Sequence, residues 1–152
     1  MGRDTPNTQR INVLRSDVFN NAIHAFGRTT FDTTKYLKVR FNGEAAIDQG
    51  GPRREFFRLF LSEMGQRSGM FRGWPDNLSP MSNSQAVANK KFYICGKVIA
   101  SMIIQGGEAP NCFSKPIVDF IIYDDLYYSG NLQDIQDKEI QEKLTKVSMP
   151  CS

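Results

Sequence analysis

Gly50-Gly51-Pro52 stands directly before Arg53-Arg54-Glu55-Phe56-Phe57, and this junction constrains the fold more than any other stretch of the chain. Proline fits the first turn of a helix, where its missing N–H would be unpaired anyway, and two glycines allow tight backbone approach. A helix should therefore begin at Pro52. Phe56, Phe57, Phe60, Leu61 and Met64 follow at i, i+1, i+4, i+5 and i+8, one face of that helix, with Arg53, Arg54, Arg58 and Glu63 on the other side.

The same spacing recurs in Val18, Phe19, Ala22, Ile23 and Phe26, which predicts an earlier helix from Ser16 that Gly27 stops. Leu37, Val39 and Phe41 alternate with Lys38 and Arg40, as in a strand with one buried face, and Asn42-Gly43 reads as a turn that could close a hairpin. Residues 65–84 are rich in Gly and Pro and read as a long connection with at most a short strand at Met70-Phe71. Dense apolar residues from Gln85 to Gln105 suggest one buried helix, with Gly96 admitting a close neighbour. Ser114 reads as the N-cap of a further helix through Ile121, with Phe113 stapling against Val118. A last amphipathic segment, 138–147, presents Ile140, Leu144 and Val147. Residues 1–10 are polar and aperiodic and read as a disordered lead-in or expression remnant, so the folded part is expected over 11–152. The fold class is α+β, mainly helical, with a small antiparallel hairpin.

Composition narrows the chemistry. The 152 residues are 40% hydrophobic and 23% charged, and 11 Phe and 5 Tyr can fill one core. No apolar run approaches the ~20 residues that span a bilayer, and the start Met1-Gly2-Arg3-Asp4 lacks a signal-peptide core, so no membrane is expected and the location is read as cytoplasmic or nuclear. Cys95, Cys112 and Cys151 are few and widely spaced, which argues for reduced thiols, and with His24 the only histidine a zinc site or a hydrolytic triad is not expected. Asp124, Asp125, Asp134, Asp137, Glu139 and Glu142 lack calcium-loop spacing and read as caps and surface charge. Residues 1–75 carry a charge of +5 and residues 76–152 a charge of −2, but the basic residues are dispersed. The phenylalanines fall at helical core spacing, so no nucleic-acid partner and no cofactor are expected.

As a pattern the residues say more. Leu37-Lys38-Val39-Arg40-Phe41-Asn42-Gly43-Glu44, followed by Asp48-Gln49-Gly50-Gly51-Pro52-Arg53-Arg54-Glu55-Phe56-Phe57, closely resembles the opening of the HECT domain of ubiquitin ligases. Lys91 to Ala100, with Gly96-Lys97-Val98-Ile99, is similar to the family's aromatic-rich helix carrying Gly-Arg-Val-Ile, with Lys97 in place of the more usual Arg. Phe113–Tyr123 and Leu132-Gln133-Asp134-Ile135 also look like HECT sequence, and the resemblance covers about residues 11–147.

The resemblance implies the large subdomain of a HECT N-terminal lobe, a scaffold for passing ubiquitin from a conjugating enzyme to a substrate lysine through a cysteine thioester. That cysteine would sit on a C-terminal lobe beyond Ser152, so 11–152 would be a partial HECT domain, inactive alone. Its partners would be the conjugating enzyme and ubiquitin, acting through the full domain. The family's cysteine lies in a Thr-Cys-Phe-like setting, whereas Cys151 sits between Pro150 and Ser152, so no catalytic role passes to Cys95, Cys112 or Cys151. The matching positions Glu44, Asp48, Gly50, Gly51, Pro52, Arg53, Glu55, Phe56, Phe57 and Gly96 are read as architectural. The alternative is a non-catalytic HECT-derived interaction module.

Overall fold

A computed structural model describes residues 7–44, 50–124, 132, 135 and 137–148. The chain opens with β1 (Thr8–Val13), in which only Ile11 and Val13 are buried, and continues through α1 (Val18–Gly27) into β2 (Tyr36–Phe41). β1 and β2 pair in parallel, from Thr8 opposite Tyr36 to Val13 opposite Phe41, with α1 as the crossover. Parallel neighbours need a crossover of this kind, so Asn42-Gly43 turns the chain, with Gly43 at φ +81°, but closes no hairpin. The strand at Thr8 also corrects the expectation that structure begins at Ile11. Two inward apolar residues among polar ones are a faint period-two signal, and the pairing with β2 completes the strand.

The proline-started helix is α2 (Gly51–Arg67), which buries Phe56, Phe57, Phe60 and Met64. Beyond it lies the antiparallel hairpin, β3 (Phe71–Trp74) and β4 (Asn77–Pro80), inside the stretch expected to be mainly a connection. Its two-residue link, Pro75-Asp76, uses proline where a turn wants φ near −65°. Gly65 explains how β4 reaches α2: a Cβ there would stand 3.0 Å from Leu78 Cδ1. That close approach was expected at Gly96, which instead is exposed with no described atom within 4 Å of its missing Cβ.

The apolar run 85–105 forms two helices, α3 (Ser84–Ala88) and α4 (Lys91–Ile104), because Lys90 takes a left-handed turn at φ +54°. Asn83 caps α3, its Oδ1 accepting from the Ala86 N–H at 2.9 Å. α4 closes in a Schellman turn: the Gly106 N–H donates to the Ile103 carbonyl and the Gly107 N–H to that of Met102, with Gly106 at φ +76°. α5 (Lys115–Tyr123) and α6 (Lys138–Ser148) follow. Ser114 stands at the N-cap of α5 without capping it; its hydroxyl pairs with that of Ser79 at 2.9 Å. Phe113 packs on Phe71, ring centroids 5.8 Å apart, at the junction where residues 112–114 join the β4 edge. The outcome is an α+β fold, mainly helical, with one small antiparallel hairpin among the described residues.

The core lies where α1, α2 and α4 meet the β1–β2 pair. Phe26 is its hub, 4.0 Å from the Phe31 ring and 6.4 Å from that of Phe56 by centroid. Both ends of α1 are satisfied from elsewhere. Asp17 at the N-cap makes no cap with its side chain, and the Phe19 N–H donates instead to Glu63 Oε2 of α2 at 2.8 Å. At the other end Lys97 Nζ of α4 donates to the Phe26 carbonyl at 2.9 Å. An acid at the positive end and a base at the negative end both match the helix dipole.

Candidate functional site

The residues singled out from the motif gather around the start of α2. Gly50 precedes the helix at φ +80°, a conformation glycine adopts without strain, and its carbonyl accepts from the Arg54 N–H at 3.3 Å. No described atom crowds Gly50 or Gly51, so their close-approach role gives way to backbone conformation at Gly50. Pro52 occupies the first turn, and Phe56 and Phe57 point into the core, their rings 5.3 Å apart. Arg53 spreads over the Tyr36 ring of β2 at 4.2 Å, with its Nη1 buried and unpaired among the described residues. Asp48 lies outside the described residues.

Glu44 and Glu55 are joined by a residue that the motif did not point to. Arg15, in the β1–α1 connection, holds both Glu44 oxygens, Nε to Oε1 at 2.8 Å and Nη2 to Oε2 at 3.1 Å. Its Nη1 reaches Glu55 Oε1 at 2.9 Å, and Arg58 grips the same Glu55 through two bonds of 2.9 Å. Bidentate guanidinium–carboxylate pairs are the geometrically demanding form of ion pair. Arg15 also covers the Phe41 ring at 4.3 Å. The alternating series Glu44, Arg15, Glu55, Arg58 thus ties the β1–α1 connection, the turn after β2 and α2 together. The hydrogen bonds from Arg15 hold the Glu44 carboxyl below its usual range, and Arg58 followed by Arg15 does the same for Glu55. Carboxylates held ionised and doubly bonded to arginine are poor proton donors or acceptors at neutral pH, so the arrangement serves position rather than acid–base chemistry.

Gly96 stands apart on α4, and the informative neighbour is Lys97, whose ammonium closes α1. The variation from Arg to Lys keeps a long cationic donor. Lys97 stood in the motif without its partner being readable, and Glu63 and Arg15 were not singled out, because each acts on an element remote in sequence.

Neither described cysteine is placed as a nucleophile. Cys95 is buried in α4, its thiol pushed up to about 12 by burial, and burial also raises Cys112. A protonated, enclosed thiol attacks poorly. Cys151 lies outside the described residues. His24 is exposed in the last turn of α1, and among the described residues no cluster of three His, Cys, Asp or Glu forms a metal site. Asp137 does cap α6, accepting from the Glu139 and Ile140 N–H groups at 3.0 and 3.2 Å, while Asp125 and Asp134 lie outside the described residues. No described helix is long and apolar enough to cross a membrane.

No family model matches the chain. It is 26% identical over 145 residues to the G2/M phase-specific E3 ubiquitin-protein ligase of Homo sapiens, covering 93% of this chain and 20% of the relative. The Gallus gallus protein of the same name is 28% identical over 145 residues, covering 92% and 19%. The probable E3 ubiquitin-protein ligase HERC4 of Rattus norvegicus is 40% identical over 113 residues, covering 70% of this chain and 11% of the relative. The chain spans about a fifth of the length of the first two relatives. It is homologous, over that partial region, to E3 ubiquitin-protein ligases, in agreement with the HECT resemblance of its motifs.

Proposed function

We propose that this chain is scaffold from the N-terminal lobe of a HECT-type E3 ubiquitin ligase. In this reading it supports the transfer of ubiquitin from a conjugating enzyme to a substrate lysine, and the thioester-forming cysteine belongs to a C-terminal lobe outside the chain. The observation that carries the reading is the motif block itself: its matching residues build the start of α2, its core face and its charged ties, while both described cysteines are buried and protonated. A scaffold needs rigid, well-tied elements and no nucleophile of its own. The parent protein would act in the cytoplasm or nucleus.

The test is a thioester assay with activating enzyme, a panel of conjugating enzymes and labelled ubiquitin. The chain is compared with a version extended by its native downstream sequence. A reductant-sensitive ubiquitin adduct only on the extended form is the expected outcome. An adduct on the short chain would overturn the assignment of the cysteine elsewhere, and no adduct on either would favour a non-catalytic interaction module.

A further inference from the structure

A cleft of about 950 Å³ opens at the edge of the core, between α2, the β3–β4 hairpin and the Gly106–Cys112 loop. The Schellman turn builds its wall: a Cβ on Gly107 would lie 2.5 Å from Met102 Cγ and 2.7 Å from the Met102 carbonyl oxygen, so glycine is what lets this loop fold back. The floor is apolar, formed by Phe57, Leu61, Phe71, Leu78 and Met102.

The rim has the opposite character. Arg54, Arg58 and Arg72 line it and are exposed, and the one carboxylate among the lining residues is Glu108. Arg58 is engaged with Glu55, which leaves Arg54 and Arg72 as guanidiniums without an ion-pair partner among the described residues. An apolar floor between unpaired guanidiniums suits a ligand that is both apolar and anionic. Its volume falls at the upper end of the roughly 300–1,000 Å³ common for ligand sites. Ser62, Gln66 and Pro75 at its margin are exposed, so the cleft is open to an occupant entering from the side, as an extended chain does.

We propose that this cleft binds a short acidic peptide segment of a partner protein, its aliphatic or aromatic side chains on the Phe57–Leu78 floor and its carboxylates on Arg54 and Arg72. A nucleic-acid strand would satisfy the arginines but would leave its sugar and phosphate groups over a floor of methylenes and phenyl rings. The inference is independent of ubiquitin transfer, and its test contains none of that machinery.

The probe is a fluorescent peptide alternating Asp with Leu and Phe, titrated by anisotropy against the intact chain. A companion peptide has Lys for each Asp, and another has Ser for each apolar residue. The acidic apolar peptide should bind at least about ten-fold tighter than either companion, and affinity should fall as salt shortens the screening length. Arg54→Ala and Arg72→Ala remove exposed side chains that hold no described structure, and each should weaken binding by about five-fold, the upper range for exposed ion pairs. Circular dichroism checks that both variants keep the native spectrum. Equal binding of the acidic and basic peptides, unchanged binding by the double variant, or displacement of the peptide by a single-stranded oligonucleotide at lower concentration would overturn the proposal.

Discussion

α1 and α5 are both short helices with a dense apolar sequence, yet they end in opposite environments. α1 buries Val18, Phe19, Ala22, Ala25 and Phe26, whereas α5 buries no residue and leaves Phe120, Ile121, Ile122 and Tyr123 between 49% and 71% exposed. The difference is not in the local pattern. α1 is flanked by β1, α2 and α4 and has each end closed by a charged side chain from another helix. Among the described residues α5 is tied at its N-terminal end, through the backbone bond from Ser114 to Leu78 and the Ser79–Ser114 pair. Amphipathicity provides a face that can be buried, and only tertiary partners bury it.

The largest gap between α5 and the core that encloses α1 should appear in thiol chemistry, with Cys95 of α4, the helix packed against α1, as the core probe. Raising Cys95 from 9.0 to about 12 means that, at any pH below both values, its thiolate fraction drops by about a thousand-fold on folding. Alkylation of Cys95 at pH 8, followed by mass spectrometry of its peptide, should be slower than in denaturant by about ten-fold or more, since the higher nucleophilicity of a high-pKa thiolate offsets part of the lost thiolate fraction. A cysteine placed on the exposed face by Ile121→Cys should react at nearly the same rate in both states. Comparable protection at the two sites would mean that α5 is covered as α4 is.

Truncation should separate the helices by stability. Phe26→Ala removes a fully buried ring that stacks on Phe31 and Phe56 and should cost about 3–5 kcal/mol, read as a lower urea midpoint. Phe120→Ala, made on a half-exposed ring, should stay within about 0.5 kcal/mol of the parent. A large loss at Phe120 would break the comparison.

This contrast also explains what was readable from residues alone. Proline at the head of α2, the five-residue apolar spacing of α1 and α2, and the alternation in β2 are strong local signals, and each element stands where they put it. β1 rests on two buried residues and a partner more than 20 positions away, so only a faint alternation marks it locally. The hairpin was hidden by glycine and proline, which mark turns without saying whether four paired residues flank them. Lys90 breaks the 85–105 run through a positive φ that a lysine does not advertise. Around the motif block the architectural reading of Phe56, Phe57 and Pro52 was legible, because burial and helix starts follow from residue type. The partners of Glu44 and Glu55 were not, since Arg15 meets them only after the β1–α1–β2 crossover has formed.

The remote caps of α1 come next in size. Lys97→Met keeps most of the aliphatic stem but leaves the Phe26 carbonyl without its charged donor, and should cost about 1.5–3 kcal/mol. Glu63→Ala frees the Phe19 N–H and should cost about 1–2 kcal/mol, the usual value of an N-cap. By contrast, Lys115→Ala in α5 removes an exposed pair with Asp119 and should change stability by less than about 0.5 kcal/mol. If Lys97→Met proved as harmless as Lys115→Ala, the closure of α1 from α4 would not be part of what distinguishes the two helices.

The smallest effect, and the most informative about the motif, lies in the Glu44–Arg15–Glu55–Arg58 series. Both carboxyls titrate below their ordinary value of 4.5 in the folded chain. A depressed folded value stabilises above the unfolded one and is lost as pH falls through the folded one, so this contribution is complete at neutral pH and fades below about pH 4.5. The pairs are half-exposed, so the contribution is modest and declines with added salt. Arg15→Ala should lower the urea midpoint at pH 7, and the gap from the parent should narrow steadily as the buffer is taken to pH 3.5. Arg15 also covers the Phe41 ring, and that packing does not titrate, so a residual gap at low pH measures it separately. A gap that stayed constant from pH 7 to 3.5 would mean that Arg15 works by packing alone. The charged series would then be a surface decoration of the motif and not one of the ties that hold the start of α2 to the strand pair.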